Sequence, residues 1–344
     1  MAYTTINKST DYFNTLLYTG NDTDGRAITG VGFQPDWVWF KGRNVASDNE
    51  VFDAVRGATK YIATNATNAE ATNSNRLQSF DTDGFTLGNS TSVNKNYNYI
   101  TWNWRAGNSS GSSNSDGSTS STVSASTTSG FSIVKWTPSG SAETVGHGLG
   151  SVPKMIITKN LGASQGWFTY HHSIGNTKYL LLNSTAAEAT DSNAWNNTTP
   201  TSSVFSVGSQ FAGSDYVAYC FAEKAGFSKF GSYVGNGNAN GPFIYTGFKP
   251  EFIMMKESNN SGQGWCMKTN SSNAIVGNPN DYFLKADTTD VENTSTSFQI
   301  DMLSNGFKIR TTDGIMNGSS DTFIYMAFAE APFVGTNNVP ATAK

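Results

Sequence analysis

Charge is scarce in this chain. Charged residues make up 14% of it, against about 25% in an ordinary soluble protein. The 22 basic and 26 acidic residues leave a formal net charge of −4, and no Lys/Arg run stands out. Nucleic-acid binding rests on neutralised phosphates, so the composition argues against it. Cysteine is scarce as well. Cys220 and Cys266 are the only two, and they do not repeat with the pattern described below. Free buried thiols fit that better than a disulfide framework. No run of about 18 apolar residues is present to cross a bilayer, and the first residues lack the apolar stretch of a cleaved signal peptide. Long helical periodicity is missing too. No Ser-His-Asp, Cys-His or phosphate-loop constellation stands out. The expectation is therefore a non-enzymatic protein.

Gly, Ser, Thr and Asn take the place of charge, and aromatics reach 13% of the 344 residues. Apolar residues come in short bounded blocks, which a disordered chain would lack. One block recurs three times. Gly32-Phe33-Gln34-Pro35-Asp36-Trp37-Val38-Trp39-Phe40-Lys41 reads as a turn and then a buried strand. Pro153 to Lys159 and Pro250 to Lys256 repeat it, each Lys six residues after its Pro. An aromatic stands 17 residues before each Pro (Tyr18, Trp136, Tyr233). Tyr61, Tyr179 and Tyr282 follow, then Glu70, Glu188 and Glu292. Each copy closes on an alternating strand: Ile100, Trp102, Trp104; Val217, Tyr219, Phe221; Ile324, Met326, Phe328. A period near 100 residues means tandem domains, not a solenoid.

The fold expected is all-β: three tandem antiparallel β-sandwich modules, jelly-roll or lectin-like, from an internal triplication. Module one covers 1–107, module two 130–225, module three 226–334, and 335–344 is a polar tail. Between the first two, 108–129 is a Gly/Ser/Thr-rich segment that reads as a flexible linker. Modules two and three abut without a spacer, so they should pack rigidly while module one sits on a tether. Ala and Glu cluster near 65–72 and 184–190, where a short helix fits.

Gly32 to Lys41, Val55-Arg56-Gly57-Ala58-Thr59, Asp81-Thr82-Asp83-Gly84-Phe85 and Tyr219-Cys220-Phe221-Ala222-Glu223-Lys224 together resemble a family of virion proteins of marine and cyanobacterial tailed phages. Its members are described loosely as tail-fibre, structural or concanavalin-like lectin proteins. The resemblance implies a place on the virion, and the expectation is an exterior capsid decoration or tail-fibre component in contact with other virion proteins; three homologous modules in one chain add the expectation of self-association, as a trimer for instance. The resemblance carries no active site over. The competing expectation is a lectin-like receptor-recognition protein that binds host surface glycans.

Five features invite a chemical role. Trp167 and Trp265 follow Gly in matched loops; turned outward they would stack on a sugar, and turned inward they begin a strand and pack, the preferred reading because large aromatics dominate cores. Asp22, Asp24, Asp81 and Asp83 lie in two Asp-Thr-Asp-Gly segments. Structural calcium is the minority reading there and an ordinary turn the main one. No other cofactor or metal is implied. His171 and His172 are adjacent on a strand, so they point to opposite faces and suit packing better than chelation. The repeated Lys41, Lys159 and Lys256 could meet anionic glycans, but a Lys after a buried strand more often reaches solvent. One repeated Glu per module does not make the acid pair of a glycosidase.

Overall fold

The computed structural model describes residues 4–272 and 277–334; the polar tail expected at 335–344 lies outside them. The described chain is all-β, with three large sheets and three small ones. Every pairing between its named strands is antiparallel. The first large sheet runs Phe13–Thr19, Asn98–Trp104, Trp37–Gly42, Glu50–Asp53, Lys60–Ala63, Ala71–Thr72. The second contains Phe131–Trp136, Tyr216–Ala222, Pro153–Asn160, Phe168–His171, Lys178–Leu181, Ala189–Thr190 in that order. The third runs Ser228–Val234, Thr322–Pro332, Phe248–Glu257, Cys266–Thr269, Leu284–Lys285. Position for position, this is one strand order used three times. The registers agree as well: Trp37 faces Trp104, Met155 faces Phe221, and Phe252 faces Phe328.

The strand after each repeated Pro is buried on both faces, and period-two alternation divides its residues between two cores. Val38 and Phe40 join Ile28, Leu77, Phe85 and Leu87 of a small sheet in a core private to the first third. The second and third large sheets are covered the same way by Phe205 and Val207, and by Ile244, Ile300, Phe307 and Ile309. Trp37 and Trp39 face the other way. With Met155, Ile157, Phe252 and Met254 they form one cluster that draws on all three sheets. At its centre Trp104, Phe221 and Phe328, one from each third, have ring centroids 6.4, 5.6 and 6.0 Å apart pairwise. Such aromatic contacts add about 0.5–1.5 kcal/mol each beyond the area they bury.

This shared core corrects the expectation of a tethered first module, because the first sheet packs on both others. The segment read as a linker is also structured. Ser121–Ser126 pairs with Phe131–Trp136, and Ser112–Asn114 pairs with Ser121–Ser126 in turn. Alternation of Thr122 and Ser124 around Val123 suits a strand laid on an existing edge, where the neighbour supplies the hydrogen bonds. Among the described residues helix is limited to short turns, with α-helical ones at Ser192–Trp195 and Gly314–Asn317 rather than in the Ala/Glu clusters. Each is capped by an Asp, Asp191 on Asn193 N and Asp313 on Ile315 N. Gly32, Gly150 and Gly247, three residues before each repeated Pro, have φ of 89, 63 and 83°. Only Gly takes that conformation freely, which explains its recurrence at this turn. Pro153 and Pro250 fall at irregularities in the strand pairing, where a missing N–H is tolerated.

A core shared by three sheets should melt as one. Phe221→Ala, in the second third, is expected to cost about 3–5 kcal/mol. It should shift a single denaturant transition, seen alike by tryptophan fluorescence and far-UV circular dichroism. A residual transition left at the wild-type midpoint would contradict the shared core.

Candidate functional site

Lys41 follows Trp37 and Trp39 at two-residue steps, so all three point to the shared core. The recurring lysines are not at the surface: Lys41, Lys159 and Lys256 are 1%, 0% and 0% exposed. Lys41 Nζ donates to Ser47 O at 2.6 Å and to Thr288 O of the third part of the chain at 3.3 Å. Lys159 donates to Asn160 O, Gln165 O and, in the first part, Thr67 O at 3.0–3.1 Å. Lys256 donates to Glu257 O at 2.6 Å. The physical reason is a demand for donors. Loops that meet here bury carbonyl oxygens, and an ammonium offers three N–H bonds. Burial pushes all three amines down from the usual lysine value to about 8.

The same places are joined by backbone. Glu70 N donates to Leu161 O at 2.9 Å, Glu188 N to Ser258 O at 2.7 Å, and Glu292 N to Arg43 O at 2.8 Å. Each acceptor lies two residues beyond a recurring lysine. In return Gln165 N donates to Thr67 O at 2.9 Å, Gly262 N to Thr185 O at 2.9 Å, and Ser47 N to Thr289 O at 3.1 Å. Each of these acceptors lies three residues before a recurring Glu. First joins second, second joins third, and third joins first: the junctions close a ring. The Glu side chains brace it, Glu70 on Arg56 and Lys60, Glu188 on Lys178, and Glu292 on Arg43. The strand register also moves one landmark. Ile62, Leu180 and Leu284 are equivalent by pairing, which makes Phe283, not Tyr282, the counterpart of Tyr61 and Tyr179.

Trp167 and Trp265 lie in these junctions and are 0% and 1% exposed, so neither can meet a sugar. Trp167 Nε1 donates to Ala63 O and Ala66 O of the first part, and Trp265 Nε1 to Leu181 O of the second. Asn49 holds the matching place in the first part, and its Nδ2 donates to Lys285 O and Thr288 O of the third. There the volume is made up from the strand opposite. Trp39 stands where the other sheets have Ile157 and Met254, and its Nε1 donates to Asn49 Oδ1 at 3.3 Å. Close packing demands this kind of exchange.

His171 occupies a junction too. Its Nδ1 accepts from Ser173 N at 3.2 Å, so Nε2 carries the proton and donates to Tyr325 O at 3.2 Å. Burial, helped by the neighbouring His172, pushes its pKa down to about 3. His172 Nε2 meets Phe230 O on the same side of the third sheet. Asp53 and Thr269 match His171 in register. They accept from Tyr219 Oη at 2.8 Å and Trp102 Nε1 at 2.9 Å, again across junctions. The four Asp residues of the Asp-Thr-Asp-Gly segments serve turns. Asp83 accepts from Gly30 N and Gly32 N, Asp81 from Ser79 and Thr86 hydroxyls, Asp24 from Gln78, and Asp22 pairs with Lys95. Among the described residues no three His, Cys, Asp or Glu side chains converge as a metal ion requires. Cys220 and Cys266 are buried and unbridged, in the private cores of the second and third parts. None of the described helices is long and apolar enough to cross a membrane.

The fold and these junctions define an all-β protein built around an internal ring of packed sheets. The chain belongs to the family described as a domain of unknown function, DUF7483, which it matches over residues 8–332. No curated protein and no solved structure matches it.

The buried lysines set a pH dependence. Lys268, donating to three carbonyls of the third part, is also lowered to about 8. Unfolding returns these amines to the ordinary value of 10.5. Above about pH 8 these lysines make the unfolded chain bind more protons than the folded one and so raise stability with pH, while the thiols of Cys220 and Cys266, pushed up by burial from 9.0, oppose the rise from about pH 9 and the buried tyrosines oppose it near pH 10. Urea titrations should give a higher unfolding free energy at about pH 9.5 than at about pH 8, and Lys159→Met should reduce that gain. A fall in stability over this interval would contradict the assignment.

Proposed function

We propose that the chain is a non-enzymatic structural protein of a tailed-phage virion exterior, a capsid decoration or tail-fibre component, formed by an internal triplication of a β-sandwich. One observation carries the reading. The residues that recur in all three copies, from the Gly-Pro turn and its inward strand to the Lys and the Glu, are used to form the sandwiches and to join them into a ring. Selection on such residues is selection for a rigid, closed body. The equal strand orders and matched registers support triplication, and the ring of junctions supports a pseudo-threefold relation. The family resemblance supplies the location.

A body of this kind has few weak points, since its edges are braced by backbone pairing and its core is aromatic. Its partners are other capsid or tail proteins. A pseudo-threefold chain suits a threefold position on a capsid or the axis of a trimeric fibre. The glycan-binding alternative loses the two indoles that suggested it.

The test is direct. Particles of the virus that encodes the chain, purified by density gradient, should contain it by mass spectrometry. Antibodies to the folded chain should label intact particles from outside. Its absence from particles, or labelling only after they are opened, would overturn the proposal.

A further inference from the structure

The three sandwiches differ along one side, where the first strand of each large sheet and the first strand of its small sheet both lie at a sheet edge. In the second, the segment before Phe131 closes that side. Ser121–Ser126 pairs with Phe131–Trp136, and Thr119 N donates to Thr144 O at 3.1 Å. Ser118 N donates to Thr144 Oγ1 at 2.8 Å, and Thr144 N to Ser118 Oγ at 2.9 Å. In the first, side chains guard the edge: Asn14 Oδ1 accepts from Thr15 N at 3.0 Å and Arg26 Nη1 donates to Thr19 O at 2.6 Å. In the third, no strand among the described residues lies there. Phe230 N and O are engaged by Glu223 Oε2 at 3.4 Å and His172 Nε2 at 3.1 Å. Backbone groups along an antiparallel strand alternate in direction, so Ser232 and Val234 turn theirs outward as Phe230 does. On the small sheet, bonds from Ile309 N to Pro242 O and from Thr246 N to Asn305 O, both 3.0 Å, put Phe243 in the outward phase. The side chains of this edge are apolar, with Val234, Phe243 and Tyr245 58%, 46% and 53% exposed. Ala27 and Thr144 hold the place of Phe243 in the other two small sheets, each one residue before an inward side chain that faces a Phe.

We propose that the open side of the third sandwich pairs, strand to strand, with the same side of a second copy of the chain, as a twofold dimer. Outward N–H and C=O groups on an edge strand are a template for one more strand. The second sandwich shows what this edge takes in this fold, a short uncharged strand. Three features make a second copy the occupant. Antiparallel pairing of a strand with its own copy is what a twofold axis generates, so one contact serves both edges. Ser232, Val234, Phe243 and Tyr245 carry no charge, Lys229 is compensated by Glu223 at 2.8 Å, and Lys308, opposite Phe243, is turned onto Gly241 O at 2.8 Å. Two copies therefore meet without like-charge repulsion, and their aromatic side chains can pair across the strands. The contact also continues one already present, because the inner half of Ser228–Val234 is seated against His172 and Glu223 of the second part. It is separate from the internal ring and does not depend on a virion location, so the two proposals can fail separately.

Sedimentation velocity on the full chain, from low-micromolar to near-millimolar concentration, tests it. A monomer–dimer equilibrium is expected, and the amides of Val234 and Phe243 should exchange with solvent more slowly as the dimer fills. Phe243→Lys and Val234→Lys, both at exposed positions, set like charges across the twofold axis. Each should weaken the dimer about tenfold or more, with far-UV circular dichroism unchanged. Leu17→Lys, on the guarded edge of the first sandwich, should leave the dimer intact. The proposal is overturned if the chain stays monomeric throughout, or if it forms a trimer or an open-ended series, since pairing of one edge with itself closes at two. It is also overturned if the dimer keeps its full strength with either lysine at the third edge, or if Leu17→Lys abolishes it.

Discussion

Each large sheet has two apolar faces, and its small sheet covers only one. That mismatch is the constraint from which the rest of the architecture follows. Left alone, each third would expose a face carrying Trp, Phe, Met and Ile side chains, a patch far larger than a soluble monomer tolerates. The three exposed faces cover one another instead, around Trp104, Phe221 and Phe328. Burying the inward faces brings the strand ends and loops together, and those loops carry carbonyl groups that need donors. The buried lysines, the two junction indoles and Asn49 supply them.

The ring explains features that look like chemistry in a list of residues. Lys41, Lys159 and Lys256 carry positive charge but serve as donors inside the protein. His171 is held neutral by burial and by the bonds on its two nitrogens. Glu70 engages both carboxylate oxygens with Arg56 and Lys60, Glu188 engages Oε1 with Lys178, and the backbone N–H of each donates to a neighbouring part of the chain. Glu292 binds Arg43 through Oε2, and its Oε1 is buried without a partner. Where the three sheets agree, the residues do structural work.

Much of the fold is legible in the residues. The Pro-to-Lys spacing marks equivalent strands, and the alternation in Ile100, Trp102 and Trp104 marks the face that the structure buries at the centre. What period-two patterning cannot say is whose core receives that face, since Trp37 and Val38 are equally apolar and yet face different clusters. The lysines misled for a related reason: one Lys after a strand reads as a solvent-reaching end. Its recurrence three times in the same phase as Trp37 and Trp39, or Met155 and Ile157, was the signal that it points inward. Ser121–Ser126 was hidden by composition, because an edge strand that adds to an existing sheet needs little apolar area of its own.

The central claim is that three sheets share one core and stand or fall together. Native-state hydrogen exchange measures this most directly, because each amide reports the free energy of the opening that exposes it. The account predicts that the slowest amides of Asn98–Trp104, Tyr216–Ala222 and Thr322–Pro332 exchange through one common opening with the same free energy and denaturant dependence. If the amides of any one of these strands exchanged through a separate opening of clearly lower free energy, the three parts would be independent and the shared core would not be the organising element.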